Sequence, residues 1–209
     1  MIDVLVKDNY FKNPDEIRKI GLHNKTYRIN NSKEFGTGWR GQRTLPIRQE
    51  TDHICPYCNQ KKIDISIDIS PEEKFIIEES EKIFDLCSNH YNFNQTYSEK
   101  LSITSYFHIT TEKTKLSYTD LQDVYHKDQT PVISGIVYLT PNAPPNAGTS
   151  IIDAENHKFI NVENNYNRLV AYDGSIVHGL SDFFGNCKET GRMTLTFFIH
   201  KVTDTHKFT

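Results

Sequence analysis

The sequence predicts a mainly β domain, closed as a sandwich or a barrel, with the helices of its N-terminal half packed outside. Short strand-like runs recur at regular spacing after about residue 92, turn-rich segments separate them, and no long helical pattern interrupts them. An aromatic fraction of 11% also suits β-rich packing. The expected class is therefore α+β, with the β part as the core.

A length of 209 residues suits one domain with a sizeable core. We expect a single domain over 1–209, with an N-terminal helix and strand extension at 1–95 and a β core at about 96–203. The net charge of −3 and the absence of a Lys/Arg block argue against a nucleic-acid partner. No apolar run could span a bilayer and no secretory signal opens the chain. A cytoplasmic protein with no membrane partner, its four cysteines reduced, is expected.

The N-terminal half contains two helix-start signals. After a short strand at 1–6, Asn13 and Pro14 lead into acidic residues, which predicts a helix to about residue 22. Ser70 and Glu73 have the capping-box spacing, which predicts a helix over about 71–90. Its core-facing residues would be Phe75, Ile76, Ile83, Phe84 and Cys87. Alternating isoleucines at 63–69 predict a strand between the two helices.

Six strands are predicted in the second half. They are residues 101–109, 132–139, 149–152, 158–162, 168–172 and 192–202. The last strand alternates between an apolar face (Met193, Leu195, Phe197, Ile199) and a polar face (Arg192, Thr194, Thr196). We expect the polar face to lie either in solvent or in a polar cavity. In a cavity, Arg192 and Thr194 could bind a carboxylate, because the planar guanidinium suits bidentate recognition.

A metal-ligand pattern, His126-x-Asp128, comes just before the strand at 132–139. In an extended segment, residues two apart face the same side, so both side chains could bind one metal ion. His178, which follows the strand at 168–172 and a turn, is the candidate third ligand. Two histidines and one carboxylate on one face of an octahedron form the ligand set of non-haem iron(II) oxygenases. A His-x-Asp pair also arises by chance in a chain with nine histidines.

The series His126-x-Asp128, His178 and Arg192-x-Thr194 resembles the signature of iron(II)- and 2-oxoglutarate-dependent oxygenases. It is most similar to small prolyl-hydroxylase-like members, including uncharacterised bacterial and phage proteins. The segments 134–140, 147–149 and 168–179 resemble the same group in order, so the resemblance covers about residues 100–202. Phe198 stands where the nucleic-acid demethylating branch usually has a second arginine, which argues against base repair.

The resemblance implies a double-stranded β-helix, or jelly roll, with the metal at its mouth. It also implies that 2-oxoglutarate and O2 are consumed, that succinate and CO2 are released, and that a peptidyl or small-molecule substrate is hydroxylated. The implied metal-binding and catalytic residues are His126, Asp128 and His178, and the implied cosubstrate-binding residues are Arg192, Thr194, Tyr106 and, second to Tyr106, Tyr138. Simple core packing accounts for the two tyrosines equally well.

Two other functions fit part of the pattern. A cupin-like metal-binding jelly roll would need no 2-oxo acid, usually has more histidine ligands, and would have no use for Arg192. An inactive oxygenase fold kept as a binding module is the third hypothesis, and the intact metal and arginine positions argue against it.

Two further features stand outside this pattern. Cys55, Cys58, Cys87 and His90 have the spacing of a structural zinc site, although Cys87 equally fits the apolar face of its helix. Arg40 and Arg43, beside the single tryptophan, are candidate contacts for an anionic substrate.

Overall fold

The structure is a computed structural model that describes residues 2–29, 40–47, 70–98, 100–118, 121–153 and 158–202. Its strands in these ranges are β1 (Val4–Lys7), β2 (Arg28–Ile29), β3 (Gln42–Arg43), β4 (Leu101–Thr110), β5 (Ile133–Tyr138), β6 (Thr149–Asp153), β7 (Lys158–Val162), β8 (Leu169–Asp173), β9 (Val177–Leu180) and β10 (Arg192–Lys201). Its helices there are α1 (Pro14–His23), α2 (Pro71–His90), α3 (Phe93–Thr96) and α4 (Glu112–Lys115), with a 3₁₀ turn at Leu121–Val124.

Two antiparallel sheets make up the β part. The large sheet has the order β1-β8-β5-β10-β4-β3-β2, and the small sheet has the order β7-β6-β9. A single bridge between His126 and His178 continues the small sheet beyond β9. From β4 onward the chain passes repeatedly between the two sheets, which is the connectivity of a jelly roll. The predicted mainly β, jelly-roll fold is confirmed.

All six strands predicted in the second half are present, and each end differs from the prediction by at most one residue. Strand β9 was not predicted. It is four residues long and contains a glycine, so its sequence carries little strand signal. The strand predicted at 63–69 lies outside the described residues.

The large sheet is covered on both faces. Its outer face contributes Phe107, Val137, Leu169 and Leu195 to an apolar core, which is completed by Ile17 of α1 and by Ile76 and Ile83 of α2. Its inner face contributes Ile136, Tyr138, Val170 and Tyr172 to a second cluster, which the small sheet completes with Ile151 and Val162. The expected packing of the N-terminal helices outside the jelly roll is therefore confirmed.

Strand β10 has the predicted alternation of faces. Its apolar residues, from Met193 to Ile199, belong to the outer core. Its polar residues Arg192, Thr194 and Thr196 are buried. Because β10 lies between β5 and β4, and because the small sheet covers the inner face, the polar face lies inside the protein rather than in solvent.

Helix α2 begins as its sequence predicts. The Ser70 hydroxyl accepts a hydrogen bond from the Glu73 backbone N–H at 3.1 Å, and the Glu73 carboxylate accepts one from the Ser70 N–H at 3.2 Å. Its core-facing residues are those expected, with Ile76, Ile83 and Cys87 fully buried. The Ser80 hydroxyl, 2.8 Å from that of Ser105, links the helix to β4. No helix in the described part of the chain has the length and apolar character needed to cross a membrane.

Asn167 joins the N-terminal segment to the jelly roll. Its side-chain oxygen accepts a hydrogen bond from the Phe11 N–H at 2.8 Å, and its amide donates to the Phe11 carbonyl at 2.9 Å. Its backbone carbonyl accepts a hydrogen bond from the Tyr10 N–H at 2.9 Å. The residue is buried and has a φ of 64°, a conformation that asparagine tolerates better than most residues.

We expect Asn167→Ala to lower the free energy of unfolding by about 2–4 kcal/mol, because two buried backbone groups lose their partners. Asn142→Ala is the matched control, since Asn142 has a similar φ of 54° but is exposed. It should cost about 1 kcal/mol or less. Urea denaturation of both variants measures the difference, and equal losses would mean that the Asn167 hydrogen bonds add nothing to stability.

Candidate metal centre

Three side chains with metal-ligand atoms meet between the two sheets. One ligand atom each from His126, Asp128 and His178 lies within 4.8 Å of the other two. The Nε2 atom of His178 is 3.3 Å from Asp128 Oδ2, and Nε2 of His126 is 3.7 Å from Asp128 Oδ1. Adjacent ligands of an octahedral ion, at about 2.1 Å from it, lie about 3 Å apart. The cluster is therefore close to the spacing that one such ion requires.

The backbone holds the three residues together. The N–H of His126 donates to the carbonyl of His178 at 2.9 Å, and the reverse bond has the same length. The N–H of Asp128 donates to the carbonyl of Gly174 at 2.9 Å. Gly179 permits this close approach, because a Cβ there would lie 2.8 Å from the Val124 carbonyl oxygen. The two ligand-bearing segments are thus joined independently of any ion.

Hydrogen bonds around the cluster orient the ligand atoms. Nδ1 of His126 is 3.0 Å from the Val124 carbonyl, and Nδ1 of His178 is 2.8 Å from the Ile176 carbonyl. A carbonyl oxygen can only accept a hydrogen bond, so the Nδ1 atom that faces it carries the proton. In a neutral ring, Nε2 then keeps the lone pair that binds a metal. The Ser134 hydroxyl donates to Asp128 Oδ2 at 2.6 Å and fixes the carboxylate.

The electrostatics favour the ligand forms of the side chains. Burial by itself would raise the pKa of Asp128, but the close contact with His178 and the hydrogen bond from Ser134 outweigh it and lower the pKa. Burial lowers the pKa of His126, and His178 lowers it further against the opposing effect of Asp128. An ionised carboxylate and a neutral imidazole are the states in which these groups bind metals.

Arg192 lies on the inner face with 6% of its surface exposed. Its Nη2 atom is 3.3 Å from Thr149 Oγ1 and 3.4 Å from the Gly148 carbonyl, and its Nε has no hydrogen-bond partner in the structure. Its guanidinium carbon is 5.3 Å from the centre of the Tyr138 ring. Among the described residues, no carboxylate lies within 4.0 Å of it. A buried cation with only neutral neighbours is well suited to an anionic ligand.

The other predicted cosubstrate residues all lie on this inner face. The Tyr138 hydroxyl is 2.7 Å from Thr149 Oγ1, so Tyr138 and Arg192 share Thr149 as a neighbour. The Thr194 hydroxyl is 3.0 Å from that of Thr196. Tyr106 pairs with Thr196, farther along the sheet, and its ring is 6.0 Å from that of Phe198. The structure thus places Tyr138 beside Arg192, and it places Tyr106 farther along the inner face of the large sheet.

Three residues near these groups were not predicted. Ser134 bonds to Asp128, Thr149 contacts both Arg192 and Tyr138, and the ring centre of Tyr172 is 4.6 Å from that of His178. The strand period places Ser134 on the same face as Tyr138, which is a usable signal. No comparable signal exists for Thr149 and Tyr172, because the packing of the two sheets decides that their side chains point toward the metal-ligand cluster and Arg192.

Nothing in the described residues supports the zinc hypothesis. Cys55 and Cys58 lie outside those residues. Cys87 is fully buried in the outer core, and burial raises the pKa of its thiol to about 12, which opposes the thiolate form. Nε2 of His90 is 2.9 Å from Oδ1 of Asp3.

No model of a known protein family matches the chain, and no curated protein matches it. Several solved structures do match. A Pseudomonas putida prolyl-4-hydroxylase matches with a TM-score of 0.59 and 11% identity, over 97% of this chain and 95% of that one. A Trichoplax adhaerens prolyl hydroxylase, solved with a peptide fragment of hypoxia inducible factor, matches with a TM-score of 0.57 and 10% identity, over 95% of this chain and 83% of that one.

An Arabidopsis thaliana dioxygenase for auxin oxidation, solved with 2-oxoglutarate, gives a TM-score of 0.53 and 13% identity, over 97% of this chain and 84% of that one. At these identities the likeness shows the fold alone. The chain has the double-stranded β-helix fold that iron(II)- and 2-oxoglutarate-dependent oxygenases share.

We expect Ser134→Ala to weaken binding of a divalent metal about tenfold, because the Asp128 carboxylate loses the hydrogen bond that fixes it. Ser150→Ala is the matched control, since that buried serine bonds to Ser181 on the small sheet. Calorimetric titration with Mn(II) provides the comparison. If both variants bind Mn(II) as the unmodified protein does, Ser134 has no role in holding a ligand.

Proposed function

We propose that the protein is an iron(II)- and 2-oxoglutarate-dependent oxygenase that hydroxylates a peptidyl or small-molecule substrate. One observation carries the proposal: a two-histidine, one-carboxylate cluster and a buried arginine with neutral neighbours lie inside the same jelly roll. Either feature alone also occurs in proteins without this activity. Together they match the two requirements of this reaction, which are a metal with open positions and an anchor for a dicarboxylate.

His126, Asp128 and His178 would hold the iron. The donor set of two imidazole nitrogens and one carboxylate oxygen suits iron(II) and leaves positions for a chelating 2-oxo acid and for O2. When bound, iron(II) and 2-oxoglutarate would supply the oxidation by O2: one oxygen atom of O2 enters a C–H bond of the substrate, and the other enters the succinate that 2-oxoglutarate forms as it loses CO2.

Arg192 would bind the carboxylate of 2-oxoglutarate that is remote from the metal. Its Nε is buried without a partner, so an incoming carboxylate would satisfy both the charge and that N–H group. Thr149, Tyr138 and Thr194 line the same region with hydroxyl groups. The apolar residues Ile136, Val170 and Ile151 of the inner cluster would limit the access of water to the bound cosubstrate.

The proposed substrate class, a peptide or a small molecule, follows from the structural neighbours. One structural neighbour was solved with a peptide fragment and another is described as acting on auxin, so this fold accommodates both peptides and small molecules. The net charge of −3 offers no general attraction for nucleic acid.

Anaerobic addition of iron(II) and then 2-oxoglutarate to the metal-free protein should produce the visible charge-transfer band of the chelate. Asp128→Ala should abolish the band, because the carboxylate ligand is lost. Arg192→Ala should keep iron binding and raise the dissociation constant for 2-oxoglutarate about 10- to 100-fold, since a charge-assisted contact is removed. Absorption spectroscopy during the titration measures whether the band forms and gives the dissociation constant for 2-oxoglutarate.

Arg168→Ala is the matched arginine control. Arg168 forms an ion pair with Asp8, whose side chain is 55% exposed, so its loss should leave the band unchanged. Iron binding without any band would favour the cupin-like alternative, which needs no 2-oxo acid. No metal binding at all would contradict the proposal and favour the binding-module alternative.

A further inference from the structure

A buried threonine, Thr110, lies opposite the arginine that is proposed to bind 2-oxoglutarate. Thr110 is the last residue of β4, and its cross-strand partner on β10 is Arg192. Directly paired residues of antiparallel strands point to the same face of a sheet, with their Cβ atoms about 5 Å apart. The next residues along the two strands, Ile109 and Met193, belong to the outer core. Thr110 and Arg192 therefore lie side by side on the inner face.

The hydroxyl group of Thr110 is buried and unpaired. Only 2% of the residue's surface is exposed, and no group in the described part of the chain forms a hydrogen bond with its Oγ1. The same is true of Nε of the neighbouring Arg192. Buried polar atoms without partners are uncommon in folded proteins, because the cost of removing them from water is not offset. Two such donors on directly paired residues therefore point to one missing ligand.

The segment before β3 sets the direction of the Thr110 side chain. Gln42 of β3 pairs with Ile109, which brings Gly41 beside Thr110. A Cβ atom on Gly41 would lie 3.1 Å from the methyl carbon Cγ2 of Thr110 and 2.4 Å from the Ile109 carbonyl oxygen. The methyl group therefore faces Gly41. Because the methyl and hydroxyl groups of a threonine occupy different staggered positions, the hydroxyl is turned away from this segment.

A single carboxylate would satisfy both unpaired donors. Nη2 of Arg192 already lies 3.3 Å from Thr149 Oγ1 on the small sheet, which leaves Nε for a ligand. Carboxylate oxygens accept several hydrogen bonds at once, so the group can bond to Nε and to the Thr110 hydroxyl together. Its negative charge also neutralises the buried guanidinium, which a bound water molecule would not do.

The other threonine hydroxyls near Arg192 already have partners. The Thr194 hydroxyl is 3.0 Å from that of Thr196, and the Thr149 hydroxyl is 2.7 Å from that of Tyr138. The sequence pattern Arg192-x-Thr194 indicates Thr194 as the hydroxyl that assists the arginine. The hydrogen bonds of this wall instead leave Thr110 as the threonine available to a ligand.

We propose that Thr110 is a further cosubstrate-binding residue, whose hydroxyl donates a hydrogen bond to the same carboxylate of 2-oxoglutarate that Arg192 binds. This inference rests on the proposed oxygenase function. It assigns to Thr110 a role in the affinity for the remote carboxylate and none in the stability of the protein without ligand.

The test compares two 2-oxo acids that are added anaerobically to the iron(II)-loaded protein. They are 2-oxoglutarate and 2-oxopentanoate, which has the same chelating group and chain length but a methyl group in place of the remote carboxylate. Thr110→Val removes the hydroxyl and should raise the dissociation constant for 2-oxoglutarate about tenfold, without changing that for 2-oxopentanoate. Thr110→Ser keeps a hydroxyl and should restore the affinity. Thr104→Val, at a half-buried threonine farther along the inner face of β4, is the matched control and should change neither constant.

Urea denaturation of the metal-free protein separates a ligand-binding role from a structural one. Thr110→Val should not lower the midpoint, because the hydroxyl has no partner to lose among the described residues. Thr140→Val should lower it, since that buried hydroxyl donates to the Gly191 carbonyl at 2.7 Å and accepts from the Met193 N–H at 2.8 Å.

Three results would overturn the inference. The first is an unchanged affinity of Thr110→Val for 2-oxoglutarate, which would mean that water satisfies the hydroxyl. The second is an equal loss of affinity for both 2-oxo acids, which would mean that Thr110 only shapes the cavity. The third is a Thr110→Val protein that is destabilised as much as Thr140→Val or does not fold. Absence of a chelate band with 2-oxoglutarate in the unmodified protein would instead contradict the oxygenase function, and this inference with it.

Discussion

Burial of both faces of strand β10 is the constraint on which the rest of the structure depends. The strand lies between β4 and β5, helices cover one side of it, and the small sheet covers the other. On the helix side, Leu195 and Phe197 pack in an apolar core. On the other side, Arg192 and Thr194 are buried as polar groups, which is costly unless each finds a partner. The polar interior is therefore a property of the architecture rather than of one residue.

Much of that interior satisfies its own hydrogen bonds. Thr194 and Thr196 bond to each other, Tyr138 bonds to Thr149, and Ser134 bonds to Asp128. The Nε group of Arg192 is buried without such a partner. Because a buried donor of this kind is rarely left unsatisfied in a folded protein, its position favours an anionic ligand at the centre of the jelly roll.

The candidate metal ligands are held mainly by backbone geometry. The paired hydrogen bonds between His126 and His178 set the separation of the two rings, and the bond from Asp128 to Gly174 sets the carboxylate segment. Carbonyl groups then select the tautomer of each histidine. Because these contacts need no ion, little reorganisation is required when a metal binds. A preformed cluster of this kind is suited to holding a metal ion in a fixed geometry.

The local signals in the sequence are strong enough to predict several elements. The capping box at Ser70 predicted α2, and the alternation after Arg192 predicted both faces of β10. Short-range geometry decides these features, so they can be inferred without the fold. The pairing of His126 with Asp128 is of the same kind. The place of His178 after a strand and a turn made it a candidate third ligand. The family resemblance then joined His178 and Arg192 to one site, because no local rule brings together residues so far apart in sequence.

Only the tertiary structure decided which residues meet across the two sheets. It brought Tyr138 to Arg192, placed Thr149 between them, and directed Arg43 inward through its pairing with β4. It also buried Cys87 within the outer core. The physical reason is that a strand pattern specifies the face on which a side chain lies. The register of the sheets and the packing of one sheet on the other specify what that side chain faces.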